Sequence, residues 1–300
     1  WFWAKGRPDH RPAFDMKTGG VDPTMSGTEI RFAAPGRLLN PAGGFLEGYT
    51  HTLNPYAGCA FGCSYCYVRR MPVGLFRGKN WGEWVDVKRI DREAFRKEWR
   101  RNRNRAVMTV FMGSATDPYQ PAEARYGVTR ALLEAMAEMP PDFLLLQTRS
   151  PLVVRDAELL RRFGSRLRVS LTIETDLESV RRRFTPKAPP LAARWRALKA
   201  LLDAGIDAQI AVSPLLPHSE SFAAELARAA PRVVVDDFFH GDGSGGKRTE
   251  ALGIRALYER AGEGDLYHPE TARRFFRELR RHAASHGSAV LWSRDGFLPP

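Results

Sequence analysis

The sequence predicts an α/β protein built as a partial (β/α)6 TIM-like barrel with an irregular N-terminal extension. Three observations carry this. Six apolar, strand-like runs alternate with helical stretches along most of the chain. At 300 residues and 43% hydrophobic, the chain is long enough to bury a core of that size. Polar residues gather where the strands end: Thr109, Asp117, Thr148, Arg149, Glu174 and Ser213. Strand–helix repetition calls for a parallel sheet with helical crossovers, and the site then belongs at the C-terminal ends of the strands. A doubly wound open sheet is the alternative.

Residues 1–48 read as an extension without periodicity, containing GRPDHRP, KTGGVDP and NPAGG. Residues 49–240 form the core unit. The first strand is YTHTL at 49–53, followed by AVMTVFM at 106–112, FLLLQT at 143–148, LRVSLTI at 167–173, DAQIAVS at 207–213 and RVVVDDF at 232–238. Between them, 91–101 follows Asp91 and places Phe95 and Trp99 four apart, and 122–138 stops before Pro140. Helices at 156–163, 190–204 and 219–230 end near Gly164, Gly205 and Pro231. Residues 241–300 form an α/β extension packed on the core, with a helix over 269–285 and a last short strand, AVLWS, at 289–293.

The formal charge is +12 and the pI about 10.0. Such a balance favours polyanions without proving nucleic-acid binding. The densest run is Lys88, Arg89, Arg92, Arg96, Lys97, Arg100, Arg101, Arg103 and Arg105, interrupted by Trp99, which reads as a core anchor more than a stacking platform; Arg181, Arg182 and Arg183 form a second patch. No run of about 20 apolar residues exists, so no membrane association is expected. Neither a leader pattern nor a disulfide framework is visible, and the expected location is cytoplasmic, as a monomer.

The three cysteines, Cys59, Cys63 and Cys66, lie within eight residues, spaced C-x3-C-x2-C, in a loop after the first strand. A cubane iron–sulfur cluster takes four ligands and prefers thiolates. Three from one loop leave one iron open, as at metal sites that do chemistry. Gly58 and Gly62 let the loop turn tightly. Competing readings are a zinc ion with His51 as fourth ligand, a cluster serving only structure or electron transfer, and three unliganded core thiols.

The cysteine motif, with Tyr65 before its last member, resembles the radical S-adenosylmethionine superfamily. YTHTLNPYAGCAFGCSYCYVR at 49–69, GSATDPYQPAE at 113–123, LQTRS at 146–150, SLTIET at 170–175 and SPLLP at 213–217 are similar to the spore photoproduct lyase-related group, often labelled DNA repair photolyase. The resemblance spans roughly residues 46–240. It implies the radical SAM type of barrel, one [4Fe–4S] cluster held by Cys59, Cys63 and Cys66 as catalytic and metal-ligating residues, and S-adenosylmethionine (SAM) chelating the fourth iron. One-electron reduction then splits the sulfonium, and a 5′-deoxyadenosyl radical takes hydrogen from a substrate. A reducing partner such as flavodoxin or ferredoxin is implied. By analogy, the cofactor contacts are Tyr65, Ser114, Thr116, Asp117, Arg149, Ser170, Thr172, Glu174 and Ser213. Spore photoproduct lyase also uses a cysteine outside the motif as hydrogen donor, and this sequence has none. Tyr67, Tyr119 or Tyr126 could supply hydrogen instead. The substrate class stays open, with DNA or RNA reached through the basic surface as one option. The alternative function is a non-enzymatic iron–sulfur protein that binds nucleic acid.

Overall fold

In chain order the strands are β1 (Glu29–Ala33), β2 (Leu39–Pro41), β3 (His51–Leu53), β4 (Tyr56–Gly58), β5 (Trp84–Lys88), β6 (Thr109–Met112), β7 (Phe143–Thr148), β8 (Leu167–Thr172), β9 (Ala208–Val212), β10 (Arg232–Val235) and β11 (Ala289–Trp292). The helices are α1 (Pro72–Leu75), α2 (Arg92–Arg103), α3 (Pro121–Tyr126), α4 (Val128–Ala137), α5 (Ala157–Arg161), α6 (Glu178–Phe184), α7 (Leu191–Asp203), α8 (Phe222–Ala229), α9 (Lys247–Glu250), α10 (Ile254–Glu259) and α11 (Pro269–Ala284). This computed structural model describes residues 27–34 and 37–300. Much of the expected extension, including GRPDHRP and KTGGVDP, lies outside the described residues.

Strands β3, β6, β7, β8, β9, β10 and β11 lie side by side in that order, all parallel, and β2 adds antiparallel to β3. The order follows the chain and never reverses. That rules out the doubly wound alternative, whose order must switch, and makes the sheet the wall of a partial (β/α)6-type barrel extended by β11. The central strands are apolar on both faces because helices cover the outside and side chains fill the inside.

Among the described residues, coil and not strand pairing bridges the two edges of the barrel. The tail after β11 crosses to the segment before β3. Arg294 Nη2 donates to the Glu47 carbonyl at 2.7 Å, and the Tyr49 hydroxyl donates to the Phe297 carbonyl. Tyr49, Phe111, Phe143, Leu145, Ala211, Val234 and Phe297 form a plug inside the barrel, with Phe45 and Leu46 against it.

Several boundaries differ from the sequence-based expectation. Residues 29–33 and 39–41, read as irregular, are strands. β1 joins β5 and β4 in a separate three-stranded sheet, which was not expected at all. Strand β6 starts at Thr109, not at 106, and Val107 is exposed. Thr109 thus sits at the strand's start, bonded with Thr50, and not at the catalytic end. The helix expected over 122–138 is two, because Gly127 takes φ +61° between them.

Helix α2 starts where Asp91 Oδ1 accepts from the amides of Glu93 and Ala94, each at 3.0 Å. It buries Phe95 and Trp99, and the Trp99 indole N–H donates to the Met139 carbonyl. Trp99 is therefore a core anchor. The basic run on this helix is largely consumed. Arg92 pairs with Glu134, Arg96 and Arg100 with Glu138, Lys97 with Glu93, and Arg103 with Asp142. Most of these contacts link α2 to α4 and the residues after it, while Arg101 and Arg105 of the same run are exposed and carry no ion pair among the described residues. In the second patch, Arg181 is buried against Glu178 and three carbonyls, and Arg183 pairs with Glu263.

Candidate active site

The cysteine loop leaves β4 at the C-terminal end of the barrel and is held from several sides. Gly58 takes φ +77°, and a Cβ there would lie 2.6 Å from the Trp84 carbonyl oxygen and 2.7 Å from its ring. Only glycine lets the loop start so close to β5. Gln120 straps the loop, since its Oε1 accepts from the Ala60 amide at 2.8 Å and its Nε2 donates to the Gly58 carbonyl at 3.2 Å. Thr116 Oγ1 donates to the same carbonyl at 2.5 Å. Farther along, the Ser64 amide donates to the Phe184 carbonyl at 2.9 Å.

Cys59, Cys63 and Cys66 all line one cavity of about 190 Å³, with Tyr65, Ser114, Thr116, Asp117, Arg149, Thr172 and Ser213. Burial pushes all three thiols up, Cys66 to about 12. Iron binding as thiolates would therefore displace protons from them. Among the described residues, no three His, Cys, Asp or Glu side chains gather around a single-ion position. Three thiols from one loop that line one cavity fit the donor set of an iron–sulfur cluster, which prefers thiolates. His51 stands on β3, with its Nδ1 bonded to Thr50 Oγ1 at 2.9 Å.

Beside the thiols lies a buried charge network. Glu174 is fully buried. Its Oε1 accepts from the Tyr65 hydroxyl at 2.9 Å and Arg149 Nη1 at 3.1 Å, and its Oε2 from Arg194 Nη1 at 2.7 Å. Burial alone would raise this carboxyl, but Arg194 and then Arg149 hold it below its ordinary range. Arg149 Nη1 also reaches the Tyr65 hydroxyl at 2.8 Å. On the other side, Asp117 Oδ1 accepts from Thr148 Oγ1 at 2.6 Å and Oδ2 from the Arg149 amide at 2.9 Å. Arg149 is thus fixed by backbone and side chain, and among the described residues it is the one Lys or Arg that lines the cavity.

A profile of the Radical SAM superfamily matches residues 53–228, more than half of the chain. The chain belongs to the radical SAM superfamily. An uncharacterised protein of Methanocaldococcus jannaschii is 31% identical over 172 residues, covering 57% of this chain and 62% of its own length. One from Acidianus two-tailed virus is 30% identical over 176 residues, covering 56% of each chain. The chain thus spans somewhat over half the length of these curated relatives. Among solved structures, a spore photoproduct lyase mutant with bound AdoMet and dinucleoside spore photoproduct aligns with a TM-score of 0.62 at 14% identity, covering 88% of this chain and 81% of that one. The lyase complexed with dinucleoside spore photoproduct gives 0.61 over the same shares, also at 14% identity. At that identity the likeness is one of fold.

Of the polar residues expected in the radical SAM pocket, two do not line the cavity. Ser170 shares a β8 face with Thr172 but lies deeper, where its Oγ accepts from Gln209 Nε2 at 3.0 Å. Glu174 stands behind Tyr65 and Arg149. Several that do line it also have internal partners. Ser114 Oγ accepts from Asn54 Nδ2 at 3.1 Å, and Ser213 Oγ donates to Asp236 Oδ2 at 3.3 Å. Of the three tyrosines considered as hydrogen donors, Tyr67 lines the cavity and donates to the Ser114 carbonyl at 2.8 Å. Tyr119 is buried on Asp156, and Tyr126 packs on Phe32.

Sequence reasoning missed the far wall of the cavity: Asp236, Asp237, Asp242 and Thr249, with Phe45, Phe238 and Phe297. The signal for the first two was present, because the strand-like run RVVVDDF ends in paired aspartates. Asp237 accepts from the Phe239 and His240 amides and contacts His240 Nδ1 at 2.8 Å. Asp242 gathers the Ser244, Gly246 and Thr249 amides. Both carboxylates organise the glycine-rich loop after β10. Gln120 lies within GSATDPYQPAE at 113–123, yet a strap cannot be told from spacing. Arg194, on α7, had no sequence signal beyond being an arginine on a helix with an apolar stripe.

Proposed function

We propose that this chain is a radical SAM enzyme which holds one [4Fe–4S] cluster on Cys59, Cys63 and Cys66 and binds SAM in the adjoining cavity. The observation that carries the reading is the convergence of the three thiols, Tyr65, Arg149 and Thr172 on one cavity at the C-terminal mouth of a parallel barrel. When bound, cluster and SAM together supply a 5′-deoxyadenosyl radical that abstracts hydrogen from substrate. The chain's residues do the rest. Arg149, preset by Asp117 and Glu174, offers a guanidinium edge to the methionine carboxylate. Tyr65 packs between the thiols and Arg149 and excludes water from the reacting region. Thr172 and Gln147, bonded to each other at 2.8 Å, offer polar contacts from the barrel wall.

The substrate and reaction class are not assigned by this geometry. The solved lyase holds a dinucleoside photoproduct, so irradiated DNA is a probe to include. This sequence, however, has no cysteine outside the motif to return hydrogen, which argues against the same reversal. Of the tyrosines weighed as alternative donors, Tyr67 is the one we favour, because it lines the cavity. Among the described residues no helix is long and apolar enough to cross a membrane, and we place the enzyme in the cytoplasm, where thiols stay reduced.

The test is anaerobic reconstitution with iron, sulfide and reductant. SAM should be cleaved to 5′-deoxyadenosine, and Cys63→Ala should abolish both the cluster's absorbance and the cleavage. A fully loaded protein that never cleaves SAM, with or without added oligonucleotide, would leave the non-enzymatic binding protein as the better reading. Deuterated candidate substrates then report which class passes label into 5′-deoxyadenosine.

A further inference from the structure

Radical chemistry of this kind needs an electron delivered to the cysteine loop. All three cysteines of the 300 residues are in that loop, so this sequence offers no second thiolate-held centre as a relay. Electron transfer weakens steeply with distance, so a donor has to approach the surface next to the loop.

The segment leaving the loop has the character of such a contact. A 3-10 turn over Tyr67–Arg70 begins at the residue after Cys66, and the Arg69 amide donates to the Cys66 carbonyl at 3.1 Å. Helix α1 then folds back on this turn. At Gly74 a Cβ would lie 2.6 Å from the Val68 carbonyl oxygen and 2.8 Å from Arg69 Cα, so the two halves are pressed backbone to backbone. Tyr67 and Val68 line the cavity, whereas Arg70 is exposed. Phe76 at the end of α1 is 85% exposed and Leu75 47%. Among the described residues only four large hydrophobic side chains stand out in this way, and two are these neighbours. Helix α9 packs on the same turn and contributes exposed Lys247. Neither Arg70 nor Lys247 has an ion pair among the described residues, unlike the neutralised cations of α2.

An apolar centre flanked by unpaired cations suits a protein partner of opposite charge. A base-paired nucleic acid would use the cations but leave Leu75 and Phe76 in water. We propose that the Tyr67–Phe76 hairpin, with Lys247, is the docking surface of an acidic one-electron donor protein that carries flavin or an iron–sulfur centre. The proposal rests on the radical SAM reading above. In the step the donor loses one electron and the three-cysteine site gains it; no atom changes hands. The contact is a small, transient one, of the size seen in redox encounters, under about 1,200 Å², and is weakened by salt.

The test uses the full chain with its cluster reconstituted, and an acidic flavodoxin with bound FMN as probe. Its affinity for the protein is titrated at low and high salt, and SAM cleavage is driven in parallel by reduced flavodoxin or by dithionite. Arg70→Glu, Lys247→Glu and Phe76→Ser should each weaken flavodoxin binding and slow flavodoxin-driven cleavage by about tenfold. Their dithionite-driven rates should match the wild type, which also shows that they fold. Unchanged flavodoxin binding and rate in all three variants overturns the proposal. So does a wild-type protein that engages neither flavodoxin nor an acidic ferredoxin. Variants that lose oligonucleotide binding yet keep flavodoxin-driven turnover assign the surface to nucleic acid instead. If the radical SAM reading itself fails, dithionite drives no cleavage even in the wild type, whereas titration with oxidised flavodoxin still reads the surface.

Discussion

Glu174 orders the cavity without facing it. Two guanidiniums share its one carboxylate, so Arg149 is not fully consumed by Glu174 and presents its guanidinium at the cavity. Arg194 is fully buried beneath, also donating to the carbonyls of Pro189 at 3.0 Å and Thr172 at 3.3 Å. Removing one member of a buried charge set is far costlier than never having built it. Arg194→Met should destabilise the cluster-free protein by about 3–5 kcal/mol in denaturant titration, and should weaken SAM binding by loosening Tyr65 and Arg149. An unchanged unfolding midpoint would show that the network carries no such weight. Asp236 behaves in the opposite sense. Burial, uncompensated by a cation, raises its carboxyl from 3.8 to about 6. The folded state therefore holds this proton more tightly than the unfolded chain, and its contribution to stability is lost as pH rises from about 4 through 6. Asp236→Asn should remove that slope and gain at most about 3 kcal/mol at pH 7. Thermal melts of both proteins between pH 4 and 7 check it, and parallel curves would refute the assignment.

At the scale of elements, the cysteine loop is rigid because three neighbours hold it: β5 behind Gly58, Gln120 and Thr116 from the segment after β6, and the Phe184 carbonyl at the end of α6. Gly58→Ala combines positive φ with a collision against Trp84. A cost of about 1–3 kcal/mol is expected, along with a lower iron content than wild type after reconstitution. Full iron loading would mean that the loop adapts. The barrel strands were legible because strands buried on both faces are written as continuous apolar runs, such as FLLLQT at 143–148. The small β1–β5–β4 sheet was not. β5 does alternate, with Val85 and Val87 buried and Asp86 and Lys88 half-buried, but its partners β1 and β4 are short and far apart in sequence, and pairing at that range leaves no periodic trace.

For the whole molecule, the barrel depends on its own tail. Residues 293–300 satisfy the Tyr49 hydroxyl, and the Gly296 carbonyl accepts from Gln209 Nε2 at 3.3 Å. Gly296 packs so tightly that a Cβ would lie 2.3 Å from Val234 Cγ1. Deleting 293–300 should therefore strand the buried Tyr49 hydroxyl, at about 1–3 kcal/mol, remove one of the two bonds of Gln209 Nε2, and uncover Phe111 and Val234. The melting temperature should fall by several degrees, with easier proteolysis near β11. A truncated chain as stable as the full one would mean that the coil closure adds nothing. The formal charge of +12 pointed to polyanions, and the molecule distributes it unevenly: most arginines of α2 pair with acidic residues of α4 and the segment after it, while the far wall of the cavity is acidic.

The sequence by itself determined the parallel strands of the barrel and the place of the three cysteines together in one loop at the C-terminal end of those strands. These follow from local periodicity and from spacing within one loop, which chain connectivity preserves. Only the tertiary structure decided that Glu174 and Ser170 stand behind the cavity wall, that Asp236, Asp237 and Asp242 form its far side, that Arg194 anchors Glu174 from a helix, and that five of the nine cations in the basic run have acidic partners. Each of these depends on which side chains meet across tens of residues. Burial and charge pairing set that outcome in three dimensions, and they leave no mark on the spacing of residues along the chain.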